Sequence, residues 1–288
     1  MSINPDWNVI AGTISNDLSD DEKHKAWQAE CMLWLGTLAK ELPGDYRISD
    51  TENFTILSDE GDRYIKVFSS FLELTRKRIL STLKGIASDE GFGKHVVIIF
   101  KDLDHYYDYV SAFFPEEGEF GMSSGMYINN GYGHFVFPTQ DMHYAEPIAV
   151  HELTHACLSH LPIPTWLNEG LAVLMEDVLA GNTLYIDKEI VAKHHQYWTE
   201  ENIQDFWSGA SFYATDEGQE LSYHLAHVLL RNLSQNFNVL VRFTNLATAE
   251  DSGESAAMQA MGVSVGHLLE SFLGKGNWAP VVPQLAMT

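Results

Sequence analysis

The chain has 288 residues, 45% hydrophobic and 20% charged, enough to bury the core of one large domain or two small ones. Forty acidic against seventeen basic residues leave a formal charge of -23, a surface that repels nucleic acid and anionic membranes and excludes both as expected partners. The two cysteines, Cys31 and Cys157, cannot form a disulfide framework, and no Cys-x-x-Cys pair is present.

The opening stretch MSINPDWNVIAG carries neither a basic segment nor an apolar one, so no signal peptide is expected. No apolar run reaches the length of a membrane span, and a cytoplasmic protein is the expectation. In chain order, residues 20–41 show helical apolar spacing through Trp27, Cys31, Trp34, Leu35 and Leu38, ended by Pro43-Gly44. Two short strands are expected at 46–48 and 54–57, then a long amphipathic helix over 63–87. HVVIIF at 95–100 reads as a buried strand by its β-branched content, and 103–114 as a short helix. Residues 118–138 are rich in glycine and aromatics, with Asn129-Asn130-Gly131 between strand-like runs, which predicts a hairpin. From there the pattern is helical, over about 146–160, 166–180, 188–207, 218–235, 238–247, 254–261 and 264–273. Strands and helices followed by helices give an α+β class. The seam lies near residue 140, dividing a 1–140 N-terminal α/β subdomain from a mainly helical 141–288 subdomain, with a cleft expected between them.

The chemistry concentrates just beyond that seam. His151-Glu152-Leu153-Thr154-His155 places two imidazoles four residues apart, on one helix face a turn apart, where both can hold one zinc ion. Glu152 sits about 100° round the helix from His151, close enough to take a proton from an attacking water. Val150, Leu153 and Cys157 form an apolar back face, with Cys157 a packed thiol. Pro162 and Pro164 force a turn, and Thr165 is a good N-cap for a second helix that Gly181 closes. This brings Glu169 back toward the first helix as the third ligand. Two other zinc patterns fail. One needs Gly at 158 and His at 161, where both residues are leucine, and another needs Asp at 173, which is Val173.

HELTH followed by PTWLNEGLA resembles the gluzincin zinc metallopeptidases, in particular the peptidase MA-like family related to the zinc aminopeptidases. The resemblance is weak outside residues 145–235. It implies a zincin-like fold, peptide or protein substrates, zinc held by His151, His155 and Glu169, and Glu152 as general base and acid. LSYHLAHVLLRNL at 221–233 is similar to the family helix that carries a tyrosine near the reaction centre; Tyr223 takes that place, with Tyr213 ranked behind it. The aminopeptidases carry a Gly-x-Met-Glu-Asn segment whose glutamate holds the substrate amine. The comparable GMYIN at 125–129 has none, which disfavours an aminopeptidase and favours an endopeptidase. That segment is either a plain hairpin or an edge strand on which a peptide aligns. A scaffold protein keeping zinc for stability is the other reading, and the intact Glu152 argues against it.

Several further residues are weighed on their spacing. His227 reads as a packed polar spot, and His224 as a weaker substrate contact. His194 and His195 are adjacent and point to different sides of a helix. His143 and Tyr144 read as a surface loop, or as lining the cleft. Glu176 is a solvated carboxylate or one that orients a ligand histidine, and Glu116, Glu117 and Glu119 form a solvated acidic loop.

Overall fold

The computed structural model describes residues 4–114, 124–182 and 187–281. Helix α1 (Trp7–Thr13) starts on Asp6, whose carboxylate accepts from the Asn8 and Val9 amides. Helix α2 (Asp20–Glu41) opens on a reciprocal cap between Ser19 and Glu22, with three acids in its first turn to match the helix dipole. There follow β1 (Arg47–Asp50), β2 (Phe54–Ser58), α3 (Asp62–Thr82), β3 (His95–Phe100), α4 (Leu103–Ser111), β4 (Met126–Ile128), β5 (His134–Pro138) and α5 (Met142–Leu158). Next comes α6 (Thr165–Met175), which continues as a π-helical turn over Glu176–Ala180 and ends at the left-handed Gly181. The remaining elements are α7 (Lys188–Tyr197), α8 (Ile203–Ser208), a 3-10 turn (Ala210–Tyr213), α9 (Gly218–Ser234), α10 (Phe237–Leu246), α11 (Glu254–Met261) and α12 (Val265–Leu273).

The protein is mixed α/β. Its five strands form one sheet in the order β1-β2-β3-β5-β4. Strands β2, β3 and β5 run parallel, and the two outer strands are antiparallel to their neighbours. The central strands are continuous apolar runs, Ile56-Leu57 and Val96 to Phe100, all buried, as a sheet covered on both faces requires. Trp34, Leu35, Leu57, Ile98, Phe100 and Val136 belong to one core cluster on one face of this sheet. Among the described residues no helix is long and apolar enough to cross a membrane.

The chain divides into two compact units, residues 1–82 with 89–157, and residues 83–88 with 158–288. The first holds the whole sheet. In the second, α6 packs on α9, and α10 on α11. The short loop 83–88 belongs to the second unit because Asn245 on α10 donates to the Gly85 carbonyl at 2.7 Å and Val241 packs on Gly85.

Some boundaries differ from the sequence pattern. The helix expected over 63–87 stops at Thr82. The helix expected over 188–207 is two, because Thr199 and Asn202 close a local turn: the Asn202 side-chain Oδ1 accepts from the Thr199 backbone amide and hydroxyl, and the Asn202 backbone amide donates to Thr199 Oγ1. Thr165 is the first helical residue of α6 rather than its cap, and no side chain caps that end. Helix α1 was not foreseen. The acidic run 116–119 lies outside the described residues.

Two buried histidines make the fold sensitive to acid. His134 is fully buried; one ring nitrogen lies 2.7 Å from the Tyr132 carbonyl and the other 2.8 Å from the Tyr109 hydroxyl. Burial depresses its pKa to about 4, and does the same to His194. The unfolded chain therefore takes protons first as pH falls below about 6.5. Stability should be complete above that pH and fall steadily toward pH 4, by about 3 kcal/mol for His134 alone. Urea unfolding across this range checks it, and a His134→Phe chain should show a shallower pH slope. An unchanged slope would remove His134 from the account.

Candidate metal centre

Helix α5 buries Val150, Leu153 and Cys157 and leaves His151, Glu152 and His155 half-exposed. The buried Thr154 hydroxyl returns to the Val150 carbonyl at 2.7 Å and so needs no outside partner. Burial pushes the Cys157 thiol up to about 12, an inert packed sulfur as expected. The His151 and His155 rings are 4.6 Å apart, one turn along the same face.

The Pro162–Pro164 turn is held by the Ala249 amide, which donates to the Pro162 carbonyl at 2.9 Å. Trp166, wholly buried, fixes the start of α6 by donating its indole N–H to the Ser252 carbonyl. Four residues on, Gly170 packs closely on α9: a Cβ there would lie 2.6 Å from Leu230 Cδ2 and 3.1 Å from the Ala226 carbonyl oxygen. These contacts place the neighbouring Glu169. One ligand atom from each of His151, His155 and Glu169 lies within 4.8 Å of the others, and this is the cluster among the described residues able to hold a metal ion.

Glu152 has a partner that the sequence did not disclose. Its Oε2 accepts from the Tyr127 backbone amide at 2.6 Å. Tyr127 lies on β4, the outermost strand of the sheet, which pairs with β5 on one side only. GMYIN is thus both one arm of a hairpin and an edge strand, and its main chain touches the carboxylate beside the two histidines.

Tyr223 is half-buried on α9, its ring packed edge-on to Phe212 at 5.2 Å. Tyr213 is 70% exposed as a residue. Its phenol nonetheless ionises above the ordinary value, first through partial burial and then through the charge of Glu169. Its hydroxyl is therefore within electrostatic reach of the third member of the cluster.

The other candidates lie on α5, the π-helical turn, α7 and α9. His227 is fully buried and faces Asp177 of the π-helical turn at 3.3 Å. His224 is buried beside His194, their ring centres 6.1 Å apart. His194 accepts from the Trp198 indole, while His195 is exposed. Glu176 accepts from Asn182 at 2.7 Å, and His143 and Tyr144 are exposed, their rings 5.3 Å apart. Against known proteins, the chain matches no family model and no curated protein.

Proposed function

We propose that this protein is a zinc metallopeptidase of the gluzincin type, with a zincin-like active site on α5 and α6. The observation that carries the reading is the convergence of His151, His155 and Glu169 to within 4.8 Å. Two imidazoles and a carboxylate are the donor set of a catalytic zinc with one position left open. Zinc bonds of about 2.0–2.2 Å put ligands some 3.3–3.5 Å apart, so small side-chain rotations close the cluster on an ion. When bound, zinc supplies Lewis-acid chemistry, polarising a carbonyl and making water more acidic.

The chain's own groups do the rest. Glu152 takes the proton from the attacking water and passes it to the departing amine. The Tyr127 amide holds its carboxylate in place, which limits the rotamers it can visit. A peptide substrate laid along the open side of β4 would gain main-chain hydrogen bonds there and bring its carbonyl toward the helix. The absence of an amine-holding glutamate in GMYIN favours internal cleavage over removal of single N-terminal residues.

A tyrosine hydroxyl completes the site by donating to the carbonyl oxygen as negative charge develops there. The family resemblance favours Tyr223, and the electrostatic coupling to Glu169 favours Tyr213. Measuring Tyr223→Phe and Tyr213→Phe together decides between them. The true donor loses turnover by roughly 10²–10³-fold with little change in KM, and the other changes it only slightly. Equal, mild effects would leave neither tyrosine in that role. The test of the whole reading is cleavage of a mixed peptide library by zinc-loaded protein, abolished by a chelator and restored by zinc. No cleavage by fully loaded, folded protein would refute it.

A further inference from the structure

The loop that carries β4 into β5 does not close itself. No main-chain hydrogen bond is made within residues 129–133, and Asn129, Asn130 and Gly131 are exposed. Next to this loop β4 is three residues long and pairs with β5 alone. Ile128 anchors the strand in the core, but the tip of the hairpin lies beyond it. A short edge strand behind an open loop is a weakly held element. Yet its central amide, on Tyr127, meets Glu152 Oε2 at 2.6 Å. Something other than the turn fixes the tip.

Helix α1 supplies that hold. Trp7 is the one buried residue of its seven, and so short a helix is not stable by itself. The indole lies on Gly131, where an added Cβ would run into the ring, 2.8 Å from both Cγ and Nε1. Gly131 is also left-handed, with φ of 69°, so glycine serves the turn and the ring together. The same indole packs on Tyr132 at 5.2 Å and stands edge-on to Trp34 at 5.4 Å. Tyr132 in turn donates its hydroxyl to the Lys94 carbonyl at 2.7 Å. Trp7 Nε1 donates to Asn4 Oδ1 at 2.6 Å, and the Asn4 side-chain amide donates to Asn130 Oδ1 at 3.4 Å. Three successive loop residues, Asn130, Gly131 and Tyr132, are thus gripped from Asn4 and Trp7.

We propose that Trp7 is a positioning residue for the candidate site: seated on Gly131, it fixes the hairpin tip and so keeps the Tyr127 amide on Glu152. Its effect on turnover rests on the peptidase reading, whereas its effect on the hairpin does not. Asn4, Trp7, Tyr127, Gly131, Tyr132 and Glu152 all belong to the first compact unit. Helix α1 acts as a clasp. With it in place β4 stays aligned; with it withdrawn the tip is free, and the amide leaves the carboxylate for part of the time.

Residue-resolved amide hydrogen exchange on the full chain tests this. In Trp7→Ala the Tyr127 amide should exchange about tenfold faster or more than in the wild type, while Val97 and Ile98 of β3 keep their rates. Trp7→Phe, which leaves a ring over Gly131, should recover most of the protection. Val9→Ala, exposed on the same helix, should change nothing. For a peptide that the wild type cleaves, kcat should fall in Trp7→Ala by about tenfold at equal zinc content, because the base is no longer held in position. If Trp7→Ala does not fold, Asn4→Ala gives the comparison: it removes both side-chain bonds, leaves the ring, and should raise exchange at Tyr127 by about threefold. Unchanged protection of Tyr127 in the folded variant, or exchange that rises only in step with Val97 and Ile98, overturns the clasp. Faster exchange with unchanged kcat overturns the positioning role. A wild type that cleaves no peptide refutes the peptidase reading instead, and exchange at Tyr127 still decides the clasp.

Discussion

Glu152→Gln is expected to keep the fold and the metal and to lose peptide hydrolysis by roughly 10²–10⁴-fold, the span that a positioned general base contributes. Gln is nearly the same size, and its amide oxygen still accepts from the Tyr127 amide, so the contact between α5 and β4 survives. What disappears is the basic oxygen. The experiment is a rate comparison at equal zinc content, with near-ultraviolet circular dichroism as the check on folding. Hydrolysis at the parental rate would put the base elsewhere. A parallel loss of zinc would mean that Glu152 supports binding of the ion as well as the chemistry.

Removing a metal ligand should have the largest effect of all on composition. His151→Ala, His155→Ala and Glu169→Ala each take away one of three protein donors. Structural zinc sites bind with about 10–16 kcal/mol through four protein ligands, about 3–4 kcal/mol each, so losing one of the three here should weaken the ion by roughly 10²–10³-fold. Elemental analysis after dialysis against a weak chelator reads this directly. Glu169→Gln refines the test, since it keeps the shape of the side chain while removing its charge. If the histidine variants kept full zinc occupancy, the metal would reside on other residues.

The candidate site was legible in the sequence where its geometry is local. Two histidines one turn apart, an apolar back face and a proline turn are all short-range features, and α5 and α6 carry them as read. The hydrophobic runs of β2 and β3 were legible for the same reason, since their length and β-branched content suit a covered sheet. Contacts made across long stretches of chain were not. The Tyr127 amide lies 25 residues before Glu152, and a backbone donor carries no side-chain signature. The break at Trp198–Asn202 did leave a trace: Thr199 and Asn202 are residues that bond their own backbone. Apolar spacing through Tyr197, Trp198 and Phe206 masked it.

The assignment of residues 83–88 to the second unit has a consequence for synthesis on the ribosome. The chain emerges from its N-terminus, and folding units tend to form as they are completed. All the strands of the sheet and α5 are available once residue 157 has left the tunnel. The loop 83–88 is not yet accommodated at that point, because Val241 and Asn245 on α10 are still untranslated. The nascent first unit must carry a looped-out segment for the time needed to add some ninety residues, roughly 5–20 seconds at typical rates of elongation. The same interleaving means that no single cut separates the two units as independent pieces: a fragment ending after α5 retains the loop without the helix that receives it.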